Sequence, residues 1–331
     1  MDVVILKNVL RASFMAFVAC CHTAQGTDFS ACTSASNDLL ALQSVINSAS
    51  DDVVTLKCVA RIGAGEPLKI PSGKKLTATP GSGLVQVASN SSRILVLVSR
   101  CTSCEVSGLT IDLGGFPSRA VQVQDSSDSK INANVMRNGN GGYAYIFAIR
   151  NQGNEYRGNV IAGSKGAQRG MWIGNGGTAT TPDIEKGAVI EGNSITGTDA
   201  TGIVYTGING LVRNNFVSDT KGSGLALSSV STYGVDNTIL VRDNVFLRNA
   251  FHGIQADAWN GGKTTDVTLL HNICSNNANA GIYAAHVERW IIQENDCQNN
   301  PSGGIVLNDA DTVLISDNRA SVVMQWNSTT G

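Results

Sequence analysis

The chain has 331 residues, of which 15% are charged and 5% aromatic, and it contains 36 glycines. Its net charge of −2 gives no electrostatic reason to expect nucleic acid or an anionic membrane surface as a partner. The few aromatic side chains exclude a core built on bulky rings, and the many glycines suit tight turns around a narrow aliphatic core.

Residues 1–25 are predicted to be a signal peptide for export. Lys7 and Arg11 precede the apolar run ASFMAFVACC, and small residues follow near Ala24. A bilayer crossing needs about 20 apolar residues, so this run is too short, and no later segment is a transmembrane candidate. Lipidation at Cys20 and an uncleaved cytosolic N-terminus are the alternatives. We expect a secreted, periplasmic or cell-surface protein.

Residues 26–331 are predicted to form one domain that begins with a short helix at about residues 36–48. Asn37 and Asp38 followed by LLALQSVI are typical of an amphipathic helix with an N-terminal cap. Strand-like runs follow this segment. A helix in that place would cover the open end of a stacked apolar core, as a solenoid requires for solubility.

A short motif around an asparagine recurs along the chain at intervals of 22 to 34 residues. An apolar residue lies three positions before each asparagine, and an apolar or small residue lies two positions after it. The eight asparagines are Asn134, Asn159, Asn193, Asn215, Asn244, Asn272, Asn295 and Asn318. Repeats of this period are typical of solenoids, in which stacked units share a core that no single unit could bury.

A second strand follows most of these asparagines, and each begins at a glycine. The runs GMWIG, GIVYT, GLALS, GIQAD, GIYAA and GIVLN alternate with a period of two, which predicts strands. Their leading glycines are Gly170, Gly202, Gly224, Gly253, Gly281 and Gly304. We call the sheet that these runs form the Gly-led sheet. Its stacked strands are expected about 4.8 Å apart.

The repeated asparagines are predicted to be structural. An inward amide at each bend could bond the asparagine of the next unit and the turn backbone, which satisfies a polar group that is costly to bury. The sequence therefore predicts an all-β, right-handed parallel β-helix (solenoid) with an N-terminal capping helix.

Six cysteines remain after the predicted signal: Cys32, Cys58, Cys101, Cys104, Cys274 and Cys297. In an exported protein this even number permits disulfides. Cys101 and Cys104 form a CxxC pair, for which a local disulfide or two free thiols are expected. Cys274 and Cys297 occupy one slot in adjacent units, so a disulfide and a pair of buried thiols both fit.

Three sequence features carry a resemblance: NDLLALQSVI, IPSGKKL, and the asparagine repeat with its Gly-led runs. Over about residues 34–322 the chain resembles the pectin-lyase-like superfamily of secreted, carbohydrate-active β-helix proteins. That resemblance implies the fold and a polysaccharide ligand, and it matches no specific family. Tyr233-Gly234 begins like the YG-x-DPH signature of mannuronan epimerases, but Asp236-Asn237 follow without Pro-His. The polygalacturonase motifs are also absent.

Polar and titratable side chains gather on three consecutive Gly-led strands. They are His252, Gln255, Asp257, Tyr283, His286, Asn308 and Asp309. Tyr and His can act as base and acid when the C5 proton of a uronic acid is removed. We therefore predict catalytic roles for His252, Asp257, Tyr283 and His286, in β-elimination or a related proton abstraction.

Four side chains are predicted to bind substrate, the tryptophans by stacking on sugar rings: Gln255, Trp172, Asn308 and Trp259. Asp257 and Asp309 are candidate ligands for Ca²⁺, and no other cofactor is predicted. The longer repeats gain residues after the Gly-led strands, as expected for the walls of a groove. These insertions are Asn175 to Gly187, Ser229 to Asn237 and Ala258 to Thr265.

The leading prediction is an exported enzyme that acts on an acidic polysaccharide. A glycoside hydrolase is the second, with Asp257 and Asp309 as its two carboxylates. A non-catalytic carbohydrate-binding, adhesin or tailspike-like protein is the third. Trp172 is the only aromatic expected among its neighbours on the sheet, which favours an enzyme over a pure binding surface. The oligomeric state is left open.

Overall fold

The computed structural model describes residues 26–33, 37–174, 183–231, 234–257 and 262–325. The predicted signal peptide, Cys20, Tyr233 and Trp259 lie outside these residues. None of the helical segments in the described part of the chain has the length and hydrophobicity that a bilayer crossing requires.

The chain winds into a right-handed parallel β-helix of about 11 turns, as the sequence predicts. Each full turn contributes one strand to each of three faces. The strands just before the ladder asparagines form the pre-Asn sheet, those just after them form the post-Asn sheet, and the third face is the Gly-led sheet. Strands of one face pair in parallel with those of the next turn. Two strands, Ala280–Gln293 and Gly303–Ser316, run through both the Gly-led and the pre-Asn faces and join them into one 22-stranded sheet.

The remaining strands divide among the three faces. The pre-Asn sheet contains Thr27–Phe29, Val53–Leu56, Lys75–Ala78, Glu105–Ser107, Lys130–Asn132, Glu155–Arg157, Val189–Glu191, Leu211–Arg213, Ile239–Arg242 and Val267–Leu270. The post-Asn sheet contains Val59–Ile62, Gly83–Gln86, Thr110–Asp112, Val135–Asn140, Val160–Lys165, Ser194–Thr196, Phe216–Ser218 and Val245–Leu247. The Gly-led sheet contains Leu68–Ile70, Ile94–Ser99, Arg119–Gln124, Ala144–Ile149, Arg169–Ile173, Ile203–Tyr205, Leu225–Ser228, Ile254–Asp257 and Val322–Gln325. Short strands bridge between faces at Glu185–Lys186, Gly207–Ile208 and Thr264–Thr265.

The asparagines form the ladder that the sequence predicts. From Asn134 to Asn318, each Nδ2 donates to the Oδ1 of the asparagine one turn on, at 2.9 to 3.1 Å. The same Nδ2 also donates to a backbone carbonyl, such as that of Val212 for Asn244. The ladder thus satisfies amides that are almost fully buried. A second, shorter ladder, which the repeat did not predict, joins Asn249 to Asn277.

Close stacking explains the glycines that begin the Gly-led strands. A Cβ at Gly253 or Gly281 would lie 2.6 Å from the carbonyl oxygen of the next leading glycine. That distance is well inside van der Waals contact, so a side chain there would push adjacent turns apart. Adjacent turns can therefore stack at normal strand spacing only with glycine at these positions.

The N-terminal helix spans Leu39–Ser48 and covers the first turn of the solenoid. Its buried side chains, Leu39, Leu42 and Ile46, extend the apolar core. The N-cap residue is Asp38, whose side chain makes no capping bond; instead the Oδ1 of the preceding Asn37 accepts from the backbone N–H of Leu39 at 3.1 Å.

The structure decides which cysteines form disulfides and which are free thiols, a question that the sequence left open. Disulfides join Cys32 to Cys58 and Cys101 to Cys104. Cys274 and Cys297 are free and buried in the core. Burial raises the pKa of the Cys274 thiol well above its ordinary value, so this thiol stays protonated.

One carboxyl group lies inside the solenoid. Glu185 is fully buried, and Asn151 Nδ2 donates to its Oε1. Its Oε2 has no hydrogen-bond partner among the described residues, and neither do the buried hydroxyls of Tyr156 and Tyr205. Burial raises the pKa of Glu185 to about 8, so the carboxyl is mostly protonated at neutral pH.

The ladder predicts a specific cost for removing one amide donor. Asn244→Asp keeps the side-chain size but cannot donate to Asn272 Oδ1 or to the two carbonyls that Nδ2 now meets. We expect the free energy of unfolding to fall by about 2 kcal/mol or more, measured by urea unfolding followed by circular dichroism. Asn276→Asp is the control, because Asn276 is exposed in a left-handed position that aspartate also tolerates. Equal unfolding midpoints for the two variants would contradict a structural role of the ladder.

The buried carboxyl predicts a pH dependence of stability. The folded state raises the pKa of Glu185 from an ordinary 4.5 to about 8, so between these values the folded chain holds a proton that the unfolded chain releases. The free energy of unfolding should therefore fall as pH rises from about 4.5 to about 8. Glu185→Gln removes this titration. The stability of the variant relative to wild type should rise across that window in thermal melts, and a difference independent of pH would refute the assignment.

Candidate functional site

The strand register places the outward residues of the Gly-led sheet in one column, in the order that the alternation predicts. The column runs Trp172, Val204, Ala226, Gln255, Tyr283 and Val306. It continues toward the N-terminus through Phe147 and Gln122. This column forms the floor of the candidate site, with larger side chains near Trp172 and Tyr283 and small ones between them.

His252 and Tyr283 form a stacked pair on this floor. Their ring centroids are 4.7 Å apart and their planes differ by 16°, while Phe251 packs edge-on against the imidazole. The backbone N–H of Ala280 donates to His252 Nδ1 at 3.2 Å, which leaves the imidazole proton on Nε2. Burial lowers the pKa of His252 to about 4, so the ring is neutral at neutral pH.

Two side-chain amides lie beside this pair. Gln255 is in register with Tyr283, and its Oε1 accepts from Ser223 Oγ at 2.8 Å, so its NH₂ group is left to donate elsewhere. Asn308 Nδ2 donates to the Tyr283 hydroxyl at 3.4 Å. The Oδ1 of Asn308 is buried and has no hydrogen-bond partner among the described residues.

Two carboxylates and a second histidine lie along the same edge: Asp257 ends its strand, and His286 and Asp309 lie in the middle of the two long strands. His286 Nδ1 and Asp309 Oδ2 are 2.7 Å apart on the exposed edge, and both residues are in the left-handed region. Asp257 pairs in register with Ser228 and has no ion pair within the described part of the chain. The structure thus brings His252, Tyr283, Gln255 and Asn308 into contact and places the pair His286–Asp309 at the rim.

The predicted metal site has few ligands. Across the described ranges, no group of three or more His, Cys, Asp or Glu side chains is placed to hold an ion. A Ca²⁺ site on Asp257 and Asp309 therefore stays a prediction.

The predicted groove walls are described only at their bases. Residues 175–182, 232–233 and 258–261, with Trp259, lie outside the described residues. Two of the bases are bonded to each other. Ser229 Oγ donates to the carbonyl of Lys263 at 2.7 Å, and the Lys263 N–H donates to Ser231 Oγ at 2.8 Å. These bonds join the start of the Ser229–Asn237 insertion to the end of the Ala258–Thr265 insertion, beside the Gly-led sheet.

Trp172 is not alone on the sheet, which corrects the expectation from the sequence. Phe147 lies edge-on to it at 5.7 Å, and Tyr143 lies 6.2 Å away, measured between ring centroids. The guanidinium groups of Arg119 and Arg169 pack against these rings. The run AYIFAI that contains Phe147 does not begin at a glycine, so the Gly-led pattern did not detect it. The sequence did contain one signal for Phe147: it lies 25 residues before Trp172, about the length of one turn.

The buried imidazole predicts an unusual titration. The C–H resonances of His252 should shift in NMR spectra with a midpoint near pH 4, because protonation would place a charge in a site that has lost its hydration. His252→Gln identifies the resonance by its disappearance. A midpoint near the ordinary value of 6.5 would show that the imidazole is hydrated and not held neutral.

A family model described as "Periplasmic copper-binding protein (NosD)" matches residues 171–322. The chain is similar to this family from the Trp172 strand to the last strand of the Gly-led sheet. No curated protein matches the chain.

Several solved structures share the fold. The A-module of the Azotobacter vinelandii mannuronan C-5 epimerase AlgE4 superposes with a TM-score of 0.58 at 14% identity, covering 89% of this chain and 95% of that one. The surface adhesin PfbA of Streptococcus pneumoniae gives 0.58 at 13%, covering 88% and 90%. A tailspike protein of the E. coli bacteriophage HK620, in complex with a pentasaccharide, gives 0.64 at 12%, covering 90% and 63%. The chain therefore has the right-handed parallel β-helix fold of pectin-lyase-like proteins, as the sequence predicts.

Proposed function

We propose that this protein binds an acidic polysaccharide along the Gly-led sheet and acts on it by proton abstraction at Tyr283. The observation that carries the proposal is the stacked pair of Tyr283 and neutral His252, with the side-chain amides of Gln255 and Asn308 beside it. The column of outward residues extends over eight stacked strands from Gln122 to Val306, which suits a chain-like substrate. Uronate-containing polysaccharides are the substrate class that this chemistry fits.

The proposed reaction needs a group that moves a proton and groups that stabilise the developing negative charge. Tyr283 is the proposed proton-transfer group: as a phenolate it takes the C5 proton, and as the resulting phenol it gives that proton to the glycosidic oxygen when the C4–O bond breaks. Its side chain lies partly exposed on the floor, and Asn308 Nδ2 donates to its oxygen. Asp257 lies one strand away and is the nearest carboxylate on the sheet without an ion pair among the described residues. It is the second candidate for accepting the C5 proton.

Neutral hydrogen-bond donors would stabilise the negative charge on the sugar carboxylate. His252 carries its proton on Nε2, and the NH₂ group of Gln255 is free to donate. Fixed neutral donors stabilise an enediolate without a counter-ion when they are preorganised and shielded from water. His252 is thus proposed as a hydrogen-bond donor and not as a base. His286, oriented by Asp309, is proposed to act at the edge of the same site.

The comparisons support a polysaccharide as ligand and an exported location. The similar structures include a mannuronan epimerase and a tailspike bound to a pentasaccharide. The matching family is described as periplasmic. We accordingly propose that residues 1–25 direct export and that 26–331 form the mature domain. A copper site is not proposed, because the described part of residues 171–322 offers no cluster of three metal-binding side chains.

A second candidate is binding without catalysis, as in an adhesin. The aromatic and arginine cluster around Trp172 favours it, because such rings suit stacking against sugars. Glycoside hydrolysis has less support, because Asp309 of the predicted carboxylate pair is bonded to His286.

The test is activity of the full chain on pectate, alginate and glycosaminoglycans. Unsaturated uronate, detected by its ultraviolet absorbance, is the expected product of β-elimination, and Tyr283→Phe should lower kcat by about 100-fold or more with little change in KM. His271→Gln is the control for His252→Gln, because His271 lies on another face and bonds to Glu294.

Each result assigns the function. New reducing ends without unsaturation would indicate a hydrolase and would refute proton abstraction. Altered uronate stereochemistry in NMR spectra, without cleavage, would support proton abstraction in the form of epimerisation. Binding with no product on any substrate would establish the non-catalytic candidate. Full activity in Tyr283→Phe would exclude this residue as the proton-transfer group.

A further inference from the structure

A cluster of arginine and aromatic side chains lies on the Gly-led sheet apart from the Tyr283 site. Its members form one continuous stack: Arg119, Phe147, Tyr143, Trp172 and Arg169. The Arg119 guanidinium carbon lies 4.2 Å from the centroid of the Phe147 ring and 4.9 Å from that of Tyr143. At the other end, the Arg169 guanidinium lies 4.3 Å from the Trp172 ring. We call these five side chains the Arg–aromatic platform.

Among the described residues, the positive charges of this platform have no acidic partner. Within the described residues, no carboxylate lies within ion-pair distance of Arg119 or Arg169, whereas Arg150, Arg248 and Arg289 each pair with at least one aspartate. The Arg119 guanidinium donates to the neutral side chain of Gln122, and its buried Nε has no hydrogen-bond partner in the described part of the chain. Both arginines are half-buried, and burial lowers the pKa of each from its ordinary value.

An arginine remains charged in a protein, so two half-buried guanidiniums without counter-ions leave a site that favours an anion. Their position is fixed by the fold. Arg119 and Arg169 flank Ala144 in the strand register, two strand spacings apart, which is about 10 Å between backbones. Half of the Tyr143 side chain is exposed between them, and Trp172 is partly exposed. Guanidinium forks bind carboxylates with two hydrogen bonds, and aromatic rings pack against the C–H faces of sugars.

We propose that the Arg–aromatic platform is a binding subsite for an anionic sugar ring of the substrate. This inference rests on the proposed binding of a polysaccharide to the Gly-led sheet, and it adds a second anchoring point. The strand of Arg169 and that of Tyr283 are four strand spacings apart, about 19 Å along the column. A ligand that occupies both places is therefore an oligosaccharide and cannot be a single sugar. Val204 and Ala226 form the small, flat floor between the two places.

The test is isothermal titration calorimetry of the full chain with oligosaccharides of graded length in three series: uronates, sulfated sugars and neutral sugars. We expect uronate affinity to rise with length and to weaken with salt. The double variant Arg119→Gln and Arg169→Gln should lose about tenfold or more in affinity, or about 1.4 kcal/mol. Arg248→Gln is the control, because it removes the same charge from a turn where Arg248 pairs with Asp219, and it should bind like wild type.

Arg169→Lys separates charge from geometry and keeps the test informative if the double variant folds poorly. It retains the positive charge but loses the planar fork and its packing on Trp172, so affinity should fall about threefold to tenfold. Binding of the sulfated series with the same loss in the arginine variants supports an anionic subsite and identifies sulfate as its anion. Neutral sugars binding as tightly as uronates, or both arginine variants binding like wild type, would overturn the proposal.

The outcome is independent of catalysis at Tyr283. Loss of product in Tyr283→Phe with unchanged uronate affinity leaves the Arg–aromatic platform intact. Unchanged affinity in the arginine variants, with Tyr283-dependent activity, removes the platform and leaves the proposed reaction standing. For an active protein, the arginine variants should raise KM for long uronates and change kcat by less than about threefold, since they act on binding and not on the barrier.

Discussion

Hydrogen bonding between asparagines on successive turns is the interaction on which the rest of this structure depends. From Asn134 onward, successive turns place an asparagine amide at the same bend, and it is satisfied by the equivalent amide of the next turn and by backbone carbonyls. A turn that lost register would leave several amides unpaired at once. The ladder therefore fixes each turn on its neighbour, although the loops between strands vary in length.

That fixed stacking sets the geometry of the candidate site. Adjacent turns stand at strand spacing, so residues from distant parts of the sequence meet in columns: Gln255 beside Tyr283, and Phe147 beside Trp172. The leading glycines allow this close approach, since any Cβ would meet the next carbonyl oxygen. Rigid columns suit a linear ligand because contacts made at one turn are held at constant distance from those made at another.

Burial gives the polar groups of this fold different roles. His252 loses its hydration and stays neutral, which makes it a donor at neutral pH. Glu185 keeps its proton inside the core for the same reason. Arg119 and Arg169 cannot lose their charge, so their burial creates a demand for an anion. Removing water from a charged group is costly in all three cases. It keeps His252 neutral as a hydrogen-bond donor, makes the stability of the core depend on pH through Glu185, and leaves two arginines that favour an anion.

The sequence by itself determined the solenoid, its repeated asparagines and Gly-led strands, the capping helix near residues 36–48 and the column of outward residues from Trp172 to Val306. These follow from local periodicity, since apolar alternation and the spacing of asparagine and glycine repeat wherever the backbone repeats. The tertiary structure alone decided which side chains touch within that column. The stacking of His252 on Tyr283, the neutrality of His252, and the arginines on the rings of Phe147 and Trp172 depend on side-chain directions and on burial by neighbouring turns. The periodicity of the sequence predicts neither side-chain direction nor burial, because the same residue pattern occurs whether a side chain is hydrated or buried by its neighbours.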